Sequence, residues 1–278
     1  MNVLRPLADW PLDKRRAIRG VFTDIDDTLT THGAITPDAL AALGALRAAG
    51  LTVIAITGRP VGWSEPKARA WPVDAIVAEN GAVALVSDQN SLTPASEGHQ
   101  ALSKIYQLDA GTRQAHTQRL RQAAERVLRE VPGVSLARDS AGRETDIAFD
   151  HGEFAALAPA QIDAIEAVLR AEGLHTTRSS IHTHGAVSPG DKWTGALWAV
   201  RTLLGRDLAR ELDHWVAVGD SGNDEAMFRH FRHSVGVANI RLAAHRMQAL
   251  PRYVTACERG AGFAELSQAL LAAISEQK

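Results

Sequence analysis

The sequence predicts an α/β protein: a Rossmann-like core built on a parallel sheet, interrupted by an inserted α+β domain. Three observations carry this. In the first third, short runs that are apolar throughout alternate with helical patterns, as strands buried on both faces do. In the middle the rhythm changes to helix, hairpin, helix, hairpin. From Ser188 onward the strand–helix alternation returns. The predicted division is a core of residues 1–87 and 187–278 with an insert at 88–186.

The elements follow in order. AIRGVFTDI (17–25) reads as the first strand. TPDALAALGALRAAG (36–50) reads as a helix with Thr36 as N-cap, Pro37 at its first position and Gly50 as its stop. LTVIAITG (51–58) is a second buried strand, Pro60–Ala70 a short helix, and VDAIVAENGAVAL (73–85) the next strand or two. The Ser/Gln/Asn-rich stretch 86–100 reads as a loop. Residues 112–130 carry Ala, Leu and Val at helical spacing with Arg between them, an amphipathic helix with a solvated basic face. GVSLARDSAGRETDIAFD (133–150) reads as two strands joined near Ser140–Gly142, 159–173 as a helix, and 174–187 as two more strands. Helix 191–205, strand 213–220, helix 223–231, strand 233–239 and a closing helix 262–274 complete the chain.

Bulk properties narrow the function. The formal net charge is −2, which argues against a general nucleic-acid binder. No apolar run can span a bilayer. The first residues lack an apolar signal core, so a cytoplasmic protein is expected. The single cysteine, Cys257, rules out an internal disulfide and is expected to be a packed small residue.

The chemistry-bearing residues cluster behind predicted strands. VFTDIDDTLT places Asp24, Asp26 and Asp27 within four positions. Asp24 and Asp26, two apart, would share one face of a regular strand. In open α/β sheets, ligands sit beyond the carboxyl ends of the strands. VAVGDSGND ends another strand with Asp220 and Asp224. If the two ends meet, several carboxylates converge, and a hard divalent cation resolves their repulsion; oxygen ligands with phosphate chemistry suit Mg²⁺. AITGR ends the second strand with Thr57 and Gly58, whose hydroxyl and backbone N–H suit phosphate oxygens. Lys192 opens a helix, where a lysine is well placed for an anion.

Taken together, DIDDTLT, ITGR, the isolated Lys192 and GDSGND closely resemble the haloacid dehalogenase-like hydrolase superfamily. The size of the insert, AENGA (78–82) and GF before the last helix resemble its subclass IIB, the Cof-type and sugar-phosphatase-like branch with a large C2 cap. The resemblance implies roles. Asp24 would be the nucleophile that becomes an aspartyl phosphate, and Asp26 the general acid and then base. Thr57, Gly58 and Lys192 would hold the phosphoryl oxygens. Asn223 would touch phosphate or steady Lys192. Asp24, the Asp26 carbonyl and Asp220 would bind Mg²⁺, with Asp224 supporting the metal shell. The implied activity is hydrolysis of a small phosphorylated metabolite, most simply a sugar phosphate. A phosphotransferase or phosphomutase of the phosphomannomutase kind, using the same chemistry, is one rival. A non-catalytic phosphate-ligand-binding protein is another.

From the insert, Arg143, Arg178, His182 and His184 are the candidate substrate contacts, with Glu144 and Ser180 beside them. His182 and His184 share one face of a predicted strand. Trp63 and Trp71 read as packing residues. Asp27 is expected to be a turn residue without chemistry, and Thr28 to bond local backbone.

Overall fold

The computed structural model describes residues 4–87 and 102–276. The predicted loop 86–100 lies outside the described residues from position 88 on. The chain opens with strand β1 (Arg5–Pro6), helix α1 (Leu12–Arg16) and strand β2 (Gly20–Thr23). A small hairpin, β3 (Thr30–Thr31) and β4 (Ala34–Ile35), leads into α2 (Pro37–Ala48), β5 (Thr52–Ile56), α3 (Val61–Ala70), β6 (Ala75–Ala78) and β7 (Val83–Ser87). Then come β8 (Leu102–Tyr106), α4 (Ala110–Glu130), β9 (Asp146–Asp150), α5 (Pro159–Ala171), β10 (His175–Arg178) and β11 (His182–Ala186). The last stretch is α6 (Lys192–Leu204), β12 (Trp215–Gly219), α7 (Glu225–His230), β13 (His233–Gly236), β14 (Tyr253–Val254) and α8 (Arg259–Ser275).

Nine strands form one sheet in the order β1-β14-β13-β12-β2-β5-β6-β7-β8. It is parallel from β1 to β6, and β7 and β8 add antiparallel. Strand β8 falls within the segment predicted as the insert, yet it extends this large sheet. A second sheet, β10-β11-β9, is antiparallel and carries α4 and α5. The predicted class, a parallel-sheet α/β core with an inserted α+β cap, is the fold observed.

Period-two alternation builds the core. Val21, Val53 and Val216 face α2, α3 and α8, whereas Phe22, Ile54 and Ala217 face α6 and α7. Burying each large aliphatic side chain contributes about 1.5–3 kcal/mol. Helix α2 begins as expected: Thr36 Oγ1 accepts the Ala39 N–H, with Pro37 behind it. Helix α4 buries Leu120, Ala123, Ala124 and Val127 and leaves most of its arginines in solvent.

Three local expectations fail. The first of the two strands predicted within 133–150 reduces to one bridge, Leu136 to Phe149, because the chain turns away through a 3-10 turn at Ser140–Gly142. Cys257 is exposed rather than packed. The buried Thr28 hydroxyl has no partner among the described residues; Thr30 does the local bonding instead, donating to the Ile25 carbonyl and accepting the Asp27 N–H.

Candidate active site

Strands β12, β2 and β5 are adjacent and parallel, so their carboxyl ends lie side by side. The residues that follow them, Asp220, Asp24 and Thr57, are therefore brought together from across the sequence. Strand β2 is also where the connections switch direction, running first to β5 on one side and later to β12 on the other, the place where open α/β sheets form their crevice. The ladder continues one residue past β2, with the Asp24 N–H on the Val218 carbonyl at 2.9 Å. Asp24 and Asp26 thus lie on the turn beyond the strand, and their side chains take different partners.

Lys192 supplies the only ammonium group bonded to the Asp24 cluster among the described residues. It is the first residue of α6, whose N-cap Asp191 accepts the Thr194 N–H at 2.8 Å. Its fully buried Nζ donates to Asp24 Oδ1 at 2.5 Å and to Asp224 Oδ1 at 2.7 Å. Asp224 Oδ2 accepts the N–H groups of Asp220 and Ser221 at 2.9 and 3.1 Å. That carboxylate folds over Gly219, where a Cβ would come within 2.3 Å of Asp224 Oδ2, so only glycine admits it. Asp220 Oδ2 accepts Asn239 Nδ2 at 3.0 Å, and its buried Oδ1 has no partner among the described residues.

Asp24, Asp220 and Asp224 each offer an oxygen within 4.8 Å of the others. Three buried carboxylates face one lysine. Burial raises the Asp24 pKa to about 8 against the pull of Lys192, with Asp224 and Asp26 adding to the rise. Asp220 is driven well above the usual carboxylate range by burial and by Asp24 and Asp224. Uncompensated negative charge and an orphaned carboxylate oxygen at one point fit a divalent cation bound by oxygen. Asp24 and Asp220 have the free capacity for it. Asp224 is already committed to Lys192 and two backbone N–H groups, a supporting position.

Asp26 lies beside this cluster and is gripped by Arg59, whose Nε reaches Oδ1 at 3.1 Å and Oδ2 at 3.0 Å while Nη2 reaches Oδ1 at 2.9 Å. Thr57 is fully buried; its N–H bonds the Val77 carbonyl, and its hydroxyl oxygen accepts the Arg59 N–H at 3.0 Å. Gly58 is approached by the cap: a Cβ there would sit 2.9 Å from His184 Nε2. Asn223 bonds Ser221 Oγ at 3.0 Å and Asn80 at 3.4 Å, and makes no bond to Lys192. Asp27, at φ 55°, is the turn residue expected, paired with Arg259 at 3.0 Å.

The cap candidates divide. Arg143 is buried, and its donors go to the Gly58 carbonyl at 3.0 Å, Asp146 at 2.8 Å and Asp139 at 3.2 Å, so it ties cap to core. Arg178 is paired with Glu166 at 2.7 Å and Asp163 at 2.8 Å. Glu144 bonds Lys104 and Tyr106. His184 Nδ1 lies 3.2 Å from Asp146, and burial together with Arg143 keeps the ring neutral, well below the usual histidine range. His182 Nε2 lies 3.2 Å from Glu153 Oε2, off the line of a hydrogen bond. Trp71 is buried in the core, and Trp63 packs under Lys67, whose Nζ is 3.7 Å from the ring centre.

Sequence reasoning missed several residues. Arg59 was given no role in AITGR, though its place directly after Thr57 and Gly58 was a usable signal. Glu79, at φ 51°, accepts the N–H groups of Val61, Glu144 and Thr145 and so pins the cap to the start of α3. His151 and Ser180 line a cleft of about 740 Å³ that also exposes Asp220 and Asn223, and the His151 Nε2 and Ser180 Oγ atoms are buried without partners among the described residues. Ser180 had been named beside the cap candidates and Glu79 stood inside AENGA without a role, whereas nothing local in the sequence marked His151.

Residues 21–111 match the family of haloacid dehalogenase-like hydrolases. No curated protein is matched by the sequence. Among solved structures, a Thermoplasma acidophilum protein superposes with a TM-score of 0.67 at 18% identity, over 91% of this chain and 98% of its own. The C-terminal domain of trehalose-6-phosphate phosphatase from C. albicans gives 0.64 at 14% identity, over 98% and 99%. The sucrose-phosphatase of Synechocystis gives 0.62 at 15% identity, over 92% and 98%. At these identities the likeness is one of fold. The motif resemblance is thus supported by sequence over the first core segment, residues 21–111, and the fold is shared along nearly the whole chain. No described helix is long and apolar enough to cross a membrane.

Proposed function

We propose that this chain is a Mg²⁺-dependent phosphomonoester hydrolase, working through an aspartyl phosphate on a small phosphorylated metabolite, with a sugar phosphate as the preferred class. The observation that carries the reading is the convergence of Asp24, Lys192, Asp220 and Asp224 beside Asp26 and the Thr57 loop. The working units are a core at 1–87 and 187–278 and a cap at 88–186, with β8 seated on the core sheet. The setting is cytoplasmic.

The Asp24 carboxylate attacks phosphorus as the bond to the leaving oxygen breaks, and Asp26 gives that oxygen its proton. Water then attacks the phosphorus of the aspartyl phosphate, Asp26 takes its proton, and inorganic phosphate leaves. Lys192 and the Thr57–Gly58 loop hold the phosphoryl oxygens while charge spreads over them. Asp24, Asp220 and the Asp26 carbonyl, supported by Asp224, would hold Mg²⁺, which when bound supplies the positive charge that lets an anionic nucleophile meet an anionic substrate.

The sugar-phosphate class is supported by the uncharged polar side chains His151 and Ser180 on the cleft wall, where the charged cap residues Arg178 and Glu166 are paired with each other. Two of the structural relatives are named as a sucrose-phosphatase and a trehalose-6-phosphate phosphatase. Phosphate release from a panel of sugar, polyol, nucleotide and glycerate phosphates tests the reading. Turnover by the wild type and a loss of at least ~10⁴-fold in Asp24→Asn is the expected outcome. Full activity in that variant would sink it, and an isomeric sugar phosphate as product would move the assignment to the mutase.

A further inference from the structure

We infer that Arg59 is the positioning residue for Asp26, and that the cap reaches the chemistry through it: Glu153 and Asp139 hold the Arg59 guanidinium on the Asp26 carboxylate. The inference rests on the phosphomonoesterase reading and goes beyond it, since it gives cap residues a part in the bond-breaking step.

The geometry is specific. The Arg59 side chain is 4% exposed, yet every nitrogen of its guanidinium has a carboxylate. Nε and Nη2 take both oxygens of Asp26 at 2.9–3.1 Å. Nη2 also reaches Glu153 Oε1 at 2.6 Å, and Nη1 reaches Glu153 Oε2 at 3.0 Å and Asp139 Oδ2 at 3.1 Å. Trp63 closes one face, with the guanidinium carbon 4.9 Å from its ring centre. A planar fork that meets a carboxylate through two parallel bonds fixes its plane as well as its place. A lysine cannot do this.

Glu153 is itself held by design of the loop. The Asp150 carboxylate accepts the N–H groups of Gly152, Glu153 and Phe154 at 3.1, 2.9 and 2.9 Å, and this turn aims the Glu153 side chain at Arg59. Glu153 stays ionised: burial alone would raise its pKa, but the nearby His182 ring and the bonds from Arg59 prevail and bring it to about 2. Opening the cap would remove two of the three acids that orient Arg59. A plain cap-to-core fastening does not require this arrangement, because Arg143 already provides one on the Gly58 carbonyl.

When the bond to the leaving oxygen breaks, the proton moves from the Asp26 carboxyl to that oxygen and Asp26 is left ionised. Arg59 meets the carboxylate as it forms, so its contribution belongs to the transition state. An alkyl leaving group needs that proton, and a nitrophenolate does not.

The test compares kcat/KM, which reads the steps through departure of the leaving group, for a turned-over sugar phosphate and for p-nitrophenyl phosphate, in wild type, Arg59→Lys, Glu153→Gln and the double variant. Arg59→Lys is expected to lose ~30-fold or more on the sugar phosphate and less than ~3-fold on the aryl ester. Glu153→Gln is expected to lose ~5-fold on the sugar phosphate alone, and the double variant to be no worse than Arg59→Lys, as two residues acting through one hub require. Aryl phosphate turnover serves as the control for folding. Equal losses on both substrates would overturn the inference and leave Arg59 a structural tie. An unchanged Glu153→Gln would overturn the cap's part in it; Glu153→Gln also keeps the test alive if Arg59→Lys does not fold. A wild type that releases no phosphate from either ester would instead bring down the phosphomonoesterase reading itself.

Discussion

The two halves of the site differ in how their polar groups are satisfied. On the core side, short turns at strand ends settle nearly everything: Asp224 alone accepts Lys192 and two backbone N–H groups. On the cap side, buried nitrogens and oxygens of His151, Ser180, His182, Thr183 and His184 stand without hydrogen bonds among the described residues. Buried polar groups are normally bonded, and two of these residues, His151 and Ser180, line the cleft, where unbonded groups suit a ligand. The core side is finished for one chemistry; the cap side is left open for a partner molecule.

The largest test of this difference is Lys192→Met. Removing the lysine leaves Asp24 and Asp224 buried without their counter-ion, and breaking such a pair costs about 3–5 kcal/mol. Thermal melts with and without Mg²⁺ should show a large loss that the metal partly restores, together with loss of turnover. A variant as stable as wild type without Mg²⁺ would mean that the cluster is balanced by something other than Lys192.

The same difference explains what the sequence could tell. Asp24, Thr57, Lys192 and Asp220 were legible because each follows a strand or opens a helix, and parallel neighbours align their ends. Asp224 was legible as part of a turn, GDSGND, whose glycine at 219 has a steric reason. Arg59 was half legible: its place was known, but its partners Asp139 and Glu153 are 80 and 94 residues away. Arg143 and Arg178 were read as substrate contacts because isolated arginines in a cap look free. Their acids, Asp139, Asp146, Asp163 and Glu166, come from turns, strands and helices whose packing no periodicity reveals.

A second test contrasts two buried or half-buried glutamates. Glu79, in the core, is raised from the usual 4.5 to about 7 by burial and by Asp146. A carboxyl raised on folding stabilises the fold fully below about pH 4.5 and loses that stabilisation as pH rises through about 7, a change of about 3 kcal/mol at most. Glu153 has the opposite sign: its contribution is present above about pH 4.5 and is lost as pH falls through about 2. In excess Mg²⁺, wild-type stability should decline between pH 5 and about 8 more steeply than that of Glu79→Gln. Equal slopes would remove Glu79 from the account.

A third probes the seam. Gly58→Ala places a methyl group 2.9 Å from His184 Nε2, and overpacking of this kind costs about 1–3 kcal/mol. Because His184 is held by Asp146 and Arg143, the strain should appear as a lower melting temperature and as a raised KM. Pairing it with His184→Ala should relieve the clash and return most of the stability. If the double variant is no better than Gly58→Ala alone, the contact between loop and cap is not the cause.

The smallest expected effect is the most informative about the open half. His151 is buried, its ring is held below the usual pKa by that burial, and its Nε2 has no protein partner among the described residues. A neutral imidazole both donates and accepts, which suits a hydroxyl better than a second anion. One hydrogen bond to a substrate hydroxyl is worth about 0.5–1.5 kcal/mol, so His151→Ala should raise KM for the preferred sugar phosphate by about 3–10-fold. Turnover of p-nitrophenyl phosphate, which offers no hydroxyl, should be unchanged. If both substrates weaken alike, His151 supports the cap fold rather than the ligand. If an acidic phosphate such as a glycerate ester weakens most, the open wall is built for a second negative charge, and the substrate class moves from sugar phosphates to phosphorylated acids.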